Sequence, residues 1–315
     1  MDALNVAVIG AGHLGRHHAG KYAACAGVRL VGVADIDLAR ATSVAAPLGA
    51  TACADFRDLL SSVDAVSIAV PAAAHYAVAL ACLSADRHVL VEKPIAVTLP
   101  EADALVALAR ERGRVLQVGH VERFNPVMRE LLKRVDGPLF IECNRLAPYK
   151  ERGTDVDVLL DLMIHDLDLI AALVCAPVAS IDAIGVSVLT ATPDIANARL
   201  NFANGCTANI TASRVSLKVE RKLRLFQRDA YFSADFGKQH LTVCRRSPAG
   251  AIELEQLQLA GDALQAEIES FVDAVRRRQA PVVGGDDGRR ALELSLEIAE
   301  RLRASPAMRG AARAG

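Results

Sequence analysis

Hydrophobic and polar positions are spaced differently in the two parts of this 315-residue chain. Up to about Gly119, short apolar runs rich in β-branched residues alternate with segments whose apolar positions have helical spacing. This order predicts a parallel sheet covered by helices on both faces and joined by right-handed crossovers. Five strands are predicted, at Asn5–Ile9, Arg29–Ala34, Ala65–Val70, His88–Val91 and Val115–Val118.

The second part of the chain has a different pattern. Two segments of helical spacing, Asn125–Val135 and Val158–Val174, are followed by a long stretch in which most apolar and polar residues alternate. Alternation with a period of two is typical of antiparallel strands that have one covered face. Asn204-Gly205 separates two alternating runs, which is a strong hairpin signal. Helical spacing returns near the end of the chain, at Asp262–Arg278 and Gly288–Arg303.

A glycine motif follows the first predicted strand. Gly10, Gly12 and Gly15 end the apolar run that begins at Val6, and helical spacing follows them. In a strand–turn–helix unit, such glycines allow a tight turn, close approach of the backbone to a pyrophosphate, and close packing of helix on strand. A second apolar run ends in Asp35, about 20 residues further on, where an acidic side chain can bind ribose hydroxyls. Motif and context together predict dinucleotide binding.

This motif defines the expected architecture. The protein is predicted to be α/β, with an N-terminal Rossmann domain, a doubly wound parallel sheet, over residues 1–121. A C-terminal α+β domain with a large, mainly antiparallel open sheet is expected over residues 122–315. The residues predicted to lie at the ligand-binding edge of the parallel sheet are Gly10, Asp35, Pro71, Glu92 and Gly119. Asp35 would repel a 2′-phosphate and favours NAD, whereas Arg40, one helical turn on, keeps NADP open.

Composition and charge argue against several classes of protein. Lys and Arg total 36 against 37 Asp and Glu, so net charge does not indicate binding to nucleic acid or to an anionic membrane. The apolar segment Val66–Leu83 is interrupted by Pro71 and polar residues, and predicts a strand and a helix rather than a membrane span. Seven cysteines without a C-x-x-C pair are expected to be buried thiols. Because no signal peptide precedes the first strand, a cytoplasmic location is expected.

Two clusters carry side chains that can do chemistry. Glu92-Lys93-Pro94 ends a predicted strand, and its X-Pro bond is a candidate for the cis form. Asp161 and His165 are four residues apart on a predicted helix, and Asp168 follows on the same face. A carboxylate can orient an imidazole and stabilise its charged form, which suits acid–base catalysis. Spacing alone leaves open a solvated lysine in the first cluster, and a solvated face or a metal site in the second.

A group of cations follows the first predicted domain. It consists of Arg123, Arg145, Lys150 and Arg152. Such groups are usually solvated. If these side chains surround the substrate, however, they would suit an anion such as a phosphate or diphosphate ester.

These features together resemble the Gfo/Idh/MocA family of nicotinamide-dependent sugar and polyol oxidoreductases. The similarity runs from Val6 to about Arg303, and its most specific marks are the Glu92-Lys93-Pro94 cluster and a D-x-x-x-H pattern at Asp161 and His165. The resemblance implies that Lys93 polarises the substrate oxygen, His165 moves its proton and Asp161 fixes the sugar. It implies NAD as cofactor and no metal.

The resemblance also implies a set of contacts around these catalytic residues. Residues expected to bind NAD are Gly10, Gly12, His13, Leu14, Gly15, Asp35, Pro71, His75, Glu92, Lys93 and Arg123. Residues expected to bind the substrate are Lys93, Glu122, Arg123, Arg145, Tyr149, Lys150, Arg152, Asp161 and His165.

Within the family, Gly119–Pro126 and Arg152–Asp157 resemble members that act on UDP-N-acetylglucosamine. That similarity implies oxidation of the 3-hydroxyl to a ketone, which a later transamination converts to a 3-amino sugar for lipid A-type molecules. Two alternatives stay open: oxidation of a free sugar or inositol, and a dinucleotide-binding sensor without catalysis. The family commonly forms dimers or tetramers through its antiparallel sheet, so a homo-oligomer is expected.

Overall fold

The structure, a computed structural model, describes residues 3–149, 157–247 and 249–304. Contacts within the chain divide it into two compact units. The first unit consists of the residues up to Val121 together with Asp262–Leu292, and the second of Glu122–Gly261 together with the residues from Glu293 onward. The first unit is therefore discontinuous in sequence.

Strands and helices alternate in the first part of the chain. They are β1 (Leu4–Ile9), α1 (His13–Ala24), β2 (Val28–Ala34), α2 (Leu38–Ala45), β3 (Thr51–Cys53), β4 (Ala65–Ile68), α3 (Ala72–Ser84), β5 (His88–Glu92), α4 (Leu99–Glu111) and β6 (Leu116–Gly119). The strands form one parallel sheet in the order β3-β2-β1-β4-β5-β6. This doubly wound order, with its switch point between β1 and β4, confirms the predicted fold class. The sequence pattern missed β3, an edge strand of three residues.

The next part of the chain contributes two helices and eight strands. They are α5 (Pro126–Arg134), β7 (Phe140–Leu146), α6 (Ile164–Val174), β8 (Val178–Val186), β9 (Ile195–Phe202), β10 (Thr207–Ser213), β11 (Glu220–Gln227), β12 (Ala230–Asp235), β13 (His240–Arg246) and β14 (Ile252–Gln258). The sheet order is β14-β13-β12-β11-β7-β10-β9-β8. Of the described strand pairs in this sheet, β7–β10 is parallel and the rest are antiparallel. The predicted large, mainly antiparallel sheet is therefore confirmed.

The predicted hairpin joins β9 to β10 at Asn204-Gly205. Gly205 has φ 88°, a left-handed conformation that glycine adopts at little cost. The amide of Phe202 donates to the carbonyl oxygen of Cys206 at 2.8 Å and closes the turn. Alternate residues of both strands, such as Leu200 and Ile210, are buried in the core of the second unit.

Two helices follow the second sheet, α7 (Ala263–Arg277) and α8 (Gly285–Ala304). The apolar face of α7 belongs to the first unit, where Ile268 and Phe271 share a hydrophobic core with Val6 and Val8 of β1. This packing brings a helix from late in the sequence against the first sheet.

The cysteines do not all have the environment expected of them. All seven are free thiols, and Cys82, Cys143 and Cys206 are buried as expected. Cys175 is exposed, however, because it ends α6 in a left-handed conformation at the surface. Among the described helices, none combines the length and the apolar character that crossing a bilayer requires.

The position of α1 on the sheet depends on Gly15. A Cβ atom here would lie 1.7 Å from the carbonyl oxygen of Gly10, far inside van der Waals contact. At Gly20, on the exposed side of the same helix, a Cβ atom would meet nothing within 4 Å. The helix can therefore approach the end of β1 this closely only with glycine at position 15.

We expect Gly15→Ala and Gly20→Ala to change stability in opposite directions. G15A must move α1 away from β1, which should lower the free energy of unfolding by roughly 1–3 kcal/mol. G20A should raise it by about 0.5–1 kcal/mol, because alanine is the better helix former. Denaturant unfolding of both variants and the wild type measures the difference, and a G15A variant as stable as the wild type would contradict the packing described.

Candidate active site

The glycine loop connects β1 to α1 at the carboxyl edge of the parallel sheet. Gly10 has φ 98°, and a Cβ atom there would lie 2.5 Å from the carbonyl oxygen of Ala69, just beyond β4. Gly12 is the N-cap of α1, and a Cβ atom on it would meet nothing within 4 Å. His13 and Leu14 form the exposed first turn. A helix N-terminus with open backbone beside it fits the pyrophosphate of NAD.

Asp35 follows β2 and turns toward this loop. Its Oδ2 accepts a hydrogen bond from the amide of Ala11 at 2.8 Å, and its Oδ1 accepts one from the amide of Asp37 at 2.9 Å. Each carboxylate oxygen has a second lone pair, so the group can also accept from ribose hydroxyls. Arg40 lies 3.6 Å from Asp35 and 3.1 Å from Asp37. Two carboxylates therefore balance the cation that could attract a 2′-phosphate.

The buried face of α1 contacts β4 and β5 through His18. Its Nδ1 lies 2.6 Å from the hydroxyl of Ser67 in β4, and its Nε2 lies 2.8 Å from Oε1 of Glu92 in β5. A carboxylate only accepts hydrogen bonds, so Nε2 carries the hydrogen and donates it. His18 thus connects the dinucleotide-binding helix to the end of β5.

Glu92 stands directly before Lys93, whose bond to Pro94 is cis, as predicted. Burial opposes ionisation of Glu92, but the hydrogen bond from His18 and the charges of His18 and Lys93 lower the pKa of this carboxyl below its usual value. A Cβ atom on Gly119, the partner of Glu92 in β6, would lie 2.9 Å from Glu92 Oε2. Glycine at position 119 therefore makes room for the carboxylate. Lys93 itself is partly buried.

Pro71 and His75, both predicted to contact NAD, begin α3. Pro71 is the N-cap, and His75 is buried in the first turn. The Nδ1 of His75 lies 2.7 Å from the carbonyl oxygen of Pro94, and its Nε2 lies 2.9 Å from that of Val70. Burial lowers the pKa of His75, although both carbonyl oxygens favour the protonated ring. The imidazole joins the loop after β4 to the loop after Lys93, and a direct contact with NAD stays a prediction.

In the second unit, the predicted helix Val158–Val174 begins with a π turn, Leu159–Met163, and continues as α6. Asp157 Oδ1 caps its start by accepting hydrogen bonds from two amides of the turn, each at 3.0 Å. π turns are rare and often lie at functional sites. Asp161 lies on this turn and His165 on the first turn of α6, and both are partly buried.

Arg145, in β7, is almost fully buried in an ion-pair network of the second unit. Its guanidinium donates to both carboxylate oxygens of Asp166 at 2.8–3.1 Å and to Glu122 at 3.1 Å. Burial works against its charge, but the carboxylates of Asp166 and Glu122 raise the pKa of Arg145 above its ordinary value. Arg221 adds a second cation 3.5 Å from Glu122. Arg145 and Glu122, both predicted to bind substrate, are thus partners of each other.

The other predicted substrate residues have varied environments. Arg123 lies in a 3-10 turn and donates to Asp168 Oδ1 at 3.4 Å, where Asp168 is buried in α6. The side chain of Tyr149 is exposed. Lys150 and Arg152 lie outside the described residues.

Several buried polar residues of the first unit had no predicted role. His18, Ser67 and Glu267 are among them. His18 carries a usable signal, because it lies three positions after Gly15 and therefore on the helix face that packs against the sheet. Ser67 lies within an apolar strand, and Glu267 lies in a helix with two other acids, so neither has a local signal.

Comparisons with known proteins identify relatives of both parts of the chain. A family profile described as "Oxidoreductase family, NAD-binding Rossmann fold" matches residues 4–120, and a "GFO/IDH/MocA C-terminal domain" profile matches residues 141–230. A UDP-N-acetylglucosamine 3-dehydrogenase of Acidithiobacillus ferrooxidans is 42% identical over 306 residues, covering 95% of this chain and 97% of that enzyme. A scyllo-inositol 2-dehydrogenase (NAD(+)) of Bacillus subtilis is 26% identical over 321 residues, covering 94% and 93%.

Solved structures have the same fold. One structure of the Acidithiobacillus ferrooxidans enzyme has a TM-score of 0.92 at 41% identity and covers 96% of this chain and 99% of its own. A levoglucosan dehydrogenase in complex with NADH and L-sorbose has a TM-score of 0.86 at 20% identity, covering 96% and 98%. The second similarity concerns the fold alone.

We expect Asp35→Asn to weaken NAD binding by about 10- to 100-fold, since hydrogen bonds to a charged acceptor contribute about 1.5–3 kcal/mol. NADP binding should weaken less, because the substitution also removes the charge that repels the 2′-phosphate. Calorimetric titration of both dinucleotides gives the two Kd values. The matched control is Asp37→Asn, and equal losses in the two variants would contradict the role of Asp35.

Arg145→Met should destabilise the second unit strongly, because it leaves the buried carboxylate of Asp166 without its cation and leaves Glu122 to the half-exposed Arg221. We expect a loss of about 3–5 kcal/mol in the free energy of unfolding. Arg224→Met removes an exposed arginine paired with Glu142 at 3.4 Å in the same sheet, and should cost less than about 1 kcal/mol. Urea unfolding measures the free energy of unfolding of both variants. Similar losses in the two would contradict the larger contribution expected from the buried network.

Proposed function

Because the chain belongs to the Gfo/Idh/MocA oxidoreductase family, we propose that it oxidises the 3-hydroxyl of UDP-N-acetylglucosamine to a ketone with NAD. The observation that carries this proposal is 42% identity, over 95% of the chain, to an enzyme named for that activity. The proposed nucleotide sugar also agrees with the cations predicted to follow the first domain. The 3-keto product is the substrate that a transaminase needs to form a 3-amino sugar.

The reaction removes a hydride from C3 and a proton from the 3-hydroxyl. NAD supplies the hydride acceptor at C4 of its nicotinamide ring. The chain must then stabilise the developing alkoxide and take up the proton. We assign the first task to the ammonium group of Lys93 and the second to the imidazole of His165, with Asp161 fixing the sugar.

The first unit fits NAD through groups already described. Gly12 and the start of α1 bind the pyrophosphate through backbone amides. Asp35 accepts hydrogen bonds from the ribose hydroxyls. His75 and Glu92 act on the same site by holding the loops that follow β4 and β5, so their contribution to NAD binding is one of positioning.

The cations predicted to bind the diphosphate of the substrate are not all available for it. The buried guanidinium of Arg145 already forms ion pairs with Asp166 and Glu122. We therefore assign Arg145 and Glu122 to the support of α6, the helix that carries His165. Arg123, Lys150 and Arg152, with the hydroxyl of Tyr149, are the groups we propose for the diphosphate and the sugar.

A second candidate is oxidation of inositol or another uncharged polyol. The B. subtilis relative named as an NAD-dependent scyllo-inositol 2-dehydrogenase favours it, at 26% identity over 94% of the chain. Activity on a polyol would not need the cations assigned to the diphosphate. Lys150→Met and Arg152→Met should therefore raise KM for UDP-N-acetylglucosamine, whereas they should leave oxidation of a polyol unchanged.

We also propose that the protein is a cytoplasmic homo-oligomer, a dimer or tetramer formed through the second sheet. Its strands carry apolar side chains that the folded chain leaves in contact with solvent, among them Ile184, Phe226, Ile252 and Leu254. These side chains lie on β8, β11 and β14, so apolar exposure is spread across the sheet, as an interface formed through the sheet would require. Free thiols at all seven cysteines are compatible with a reducing compartment.

Incubation with UDP-N-acetylglucosamine and NAD tests the function, with mass spectrometry to detect a product lighter by two hydrogens. Lys93→Met and His165→Asn should each lower kcat by about 10²- to 10⁴-fold, the range for general acid–base groups. The Kd for NAD should change little in H165N. Lys133→Met, at an exposed lysine of α5, is the matched control. No turnover by the wild-type enzyme would overturn the proposal.

A further inference from the structure

Three buried ionisable side chains lie close together at the end of β5. His18 comes from α1, Glu92 from the end of β5 and Glu267 from α7, all within the first unit. One nitrogen of the histidine and one oxygen of each carboxyl group all lie within 4.8 Å of one another. Buried carboxyl groups this close together are costly if both are charged. The cluster therefore needs a physical explanation.

Two of the three side chains are already paired. Glu92 accepts the hydrogen bond of His18 Nε2 at 2.8 Å. Glu267 is fully buried, and within the described part of the chain neither of its carboxyl oxygens has a hydrogen-bond partner. The side-chain amide of Gln117 donates instead to the main-chain oxygen of Glu267, at 3.1 Å. Within the described residues, Glu267 is therefore the member of the cluster whose carboxyl group no hydrogen bond stabilises as an anion.

The surrounding charges all place the negative charge on Glu92. His18, Lys93 and His75 lie near enough to Glu92 to favour its ionised form. Near Glu267, Glu92 and burial both oppose ionisation and raise the pKa of Glu267 well above its usual value. Tyr22, another titratable group close to Glu267, is also buried, and burial raises its pKa as well. His18 lies within 4.8 Å of Glu267, but its Nε2 hydrogen is donated to Glu92.

We propose that Glu267 is a neutral carboxylic acid in the working enzyme and acts as a positioning residue for Glu92 and Lys93. A neutral carboxyl fills the space behind Glu92 without adding a second charge. The single negative charge of the cluster then stays on Glu92, where His18 binds it. This holds the end of β5, and hence Lys93, against α1. The inference about Lys93 rests on the catalytic role proposed above, whereas the protonation of Glu267 does not.

A metal ion is the competing explanation for two carboxyl groups and an imidazole at this spacing. A metal would need a lone pair from His18, but Nε2 donates to Glu92 and Nδ1 lies 2.6 Å from the hydroxyl of Ser67. It would also need both carboxyl groups ionised. The two explanations therefore make opposite predictions for Glu267→Gln, which keeps the shape of a neutral acid and removes the possibility of charge.

The dependence of stability on pH tests the protonation of Glu267 without any substrate. A raised folded-state pKa means that the unfolded chain loses this proton first, near the ordinary pKa of 4.5. Folding stability from this group is then fully present below about pH 4.5 and declines as the pH rises toward the folded-state pKa. E267Q lacks that decline. Its Tm relative to the wild type should therefore rise steadily between pH 4.5 and pH 8, by several degrees in total.

Glu269→Gln is the matched control, because Glu269 lies on the exposed side of the same helix. Its Tm difference from the wild type should stay nearly constant over the same pH range. A Tm difference for E267Q that is constant or falls with pH, or an E267Q variant that fails to fold, would overturn the proposal. A constant or falling difference would mean that Glu267 is ionised in the folded chain, and a failure to fold would mean that its charge is needed.

Kinetics test the positioning role. E267Q should keep kcat and the Kd for NAD within about threefold of the wild type at pH 7, and should keep its activity to higher pH. Glu267→Ala leaves a cavity behind Glu92, and should lower kcat at least tenfold with a smaller change in KM. A tenfold loss of kcat in E267Q, or full activity in E267A, would overturn this part. If the wild-type enzyme does not oxidise the nucleotide sugar, the Tm series still decides whether Glu267 is neutral.

Discussion

The first unit depends on how closely α1 approaches the parallel sheet. Gly15 makes this possible, because any larger side chain would collide with the carbonyl oxygen of Gly10. The close approach has two consequences. It presents the free amides at the start of α1 to a pyrophosphate, and it carries His18, one turn further on, into contact with Glu92. The helix that we propose to bind the cofactor therefore also supports the strand end that bears Lys93.

Both units use buried charges to support the groups proposed for catalysis. In the first unit, His18 pairs with Glu92, the residue before Lys93. In the second, Arg145 and Asp166 form a bidentate pair, and Asp166 is the residue after His165. Buried ion pairs contribute little net stability, since desolvation offsets their attraction, but they are costly to break and so favour one arrangement. Lys93, Asp161 and His165, the residues that we propose to act on the substrate, are partly buried.

Local signals in the sequence were sufficient for the fold and for the cofactor motif. The alternation of apolar runs with helical segments predicted the doubly wound sheet, and Asn204-Gly205 predicted a hairpin that the structure contains. Short β3 was missed because three residues at a sheet edge need no apolar run. The π turn before α6 was missed because its apolar spacing does not differ visibly from that of an α-helix. The prediction that Cys175 is buried is wrong, because the left-handed conformation that exposes it at the end of α6 has no sequence signature.

Contacts between residues distant in sequence were not predictable in the same way. Arg145 followed the first domain among other cations and was expected to bind substrate, but spacing gives no information about its partner Asp166, 21 residues away. Glu267 is buried only because α7, a helix late in the sequence, packs against the first sheet. Tertiary packing decides which charged side chains are buried, and one sequence does not show it.

Isotope transfer tests the central claim most directly. UDP-N-acetylglucosamine carrying deuterium at C3 of the sugar is oxidised by the wild-type enzyme with unlabelled NAD, and the NADH formed is analysed by mass spectrometry and NMR. We expect the deuterium to appear at C4 of the nicotinamide ring, with the proton of the 3-hydroxyl released to the protein and solvent. Unlabelled NADH formed during turnover would place the oxidation at another carbon and contradict the proposed oxidation at C3.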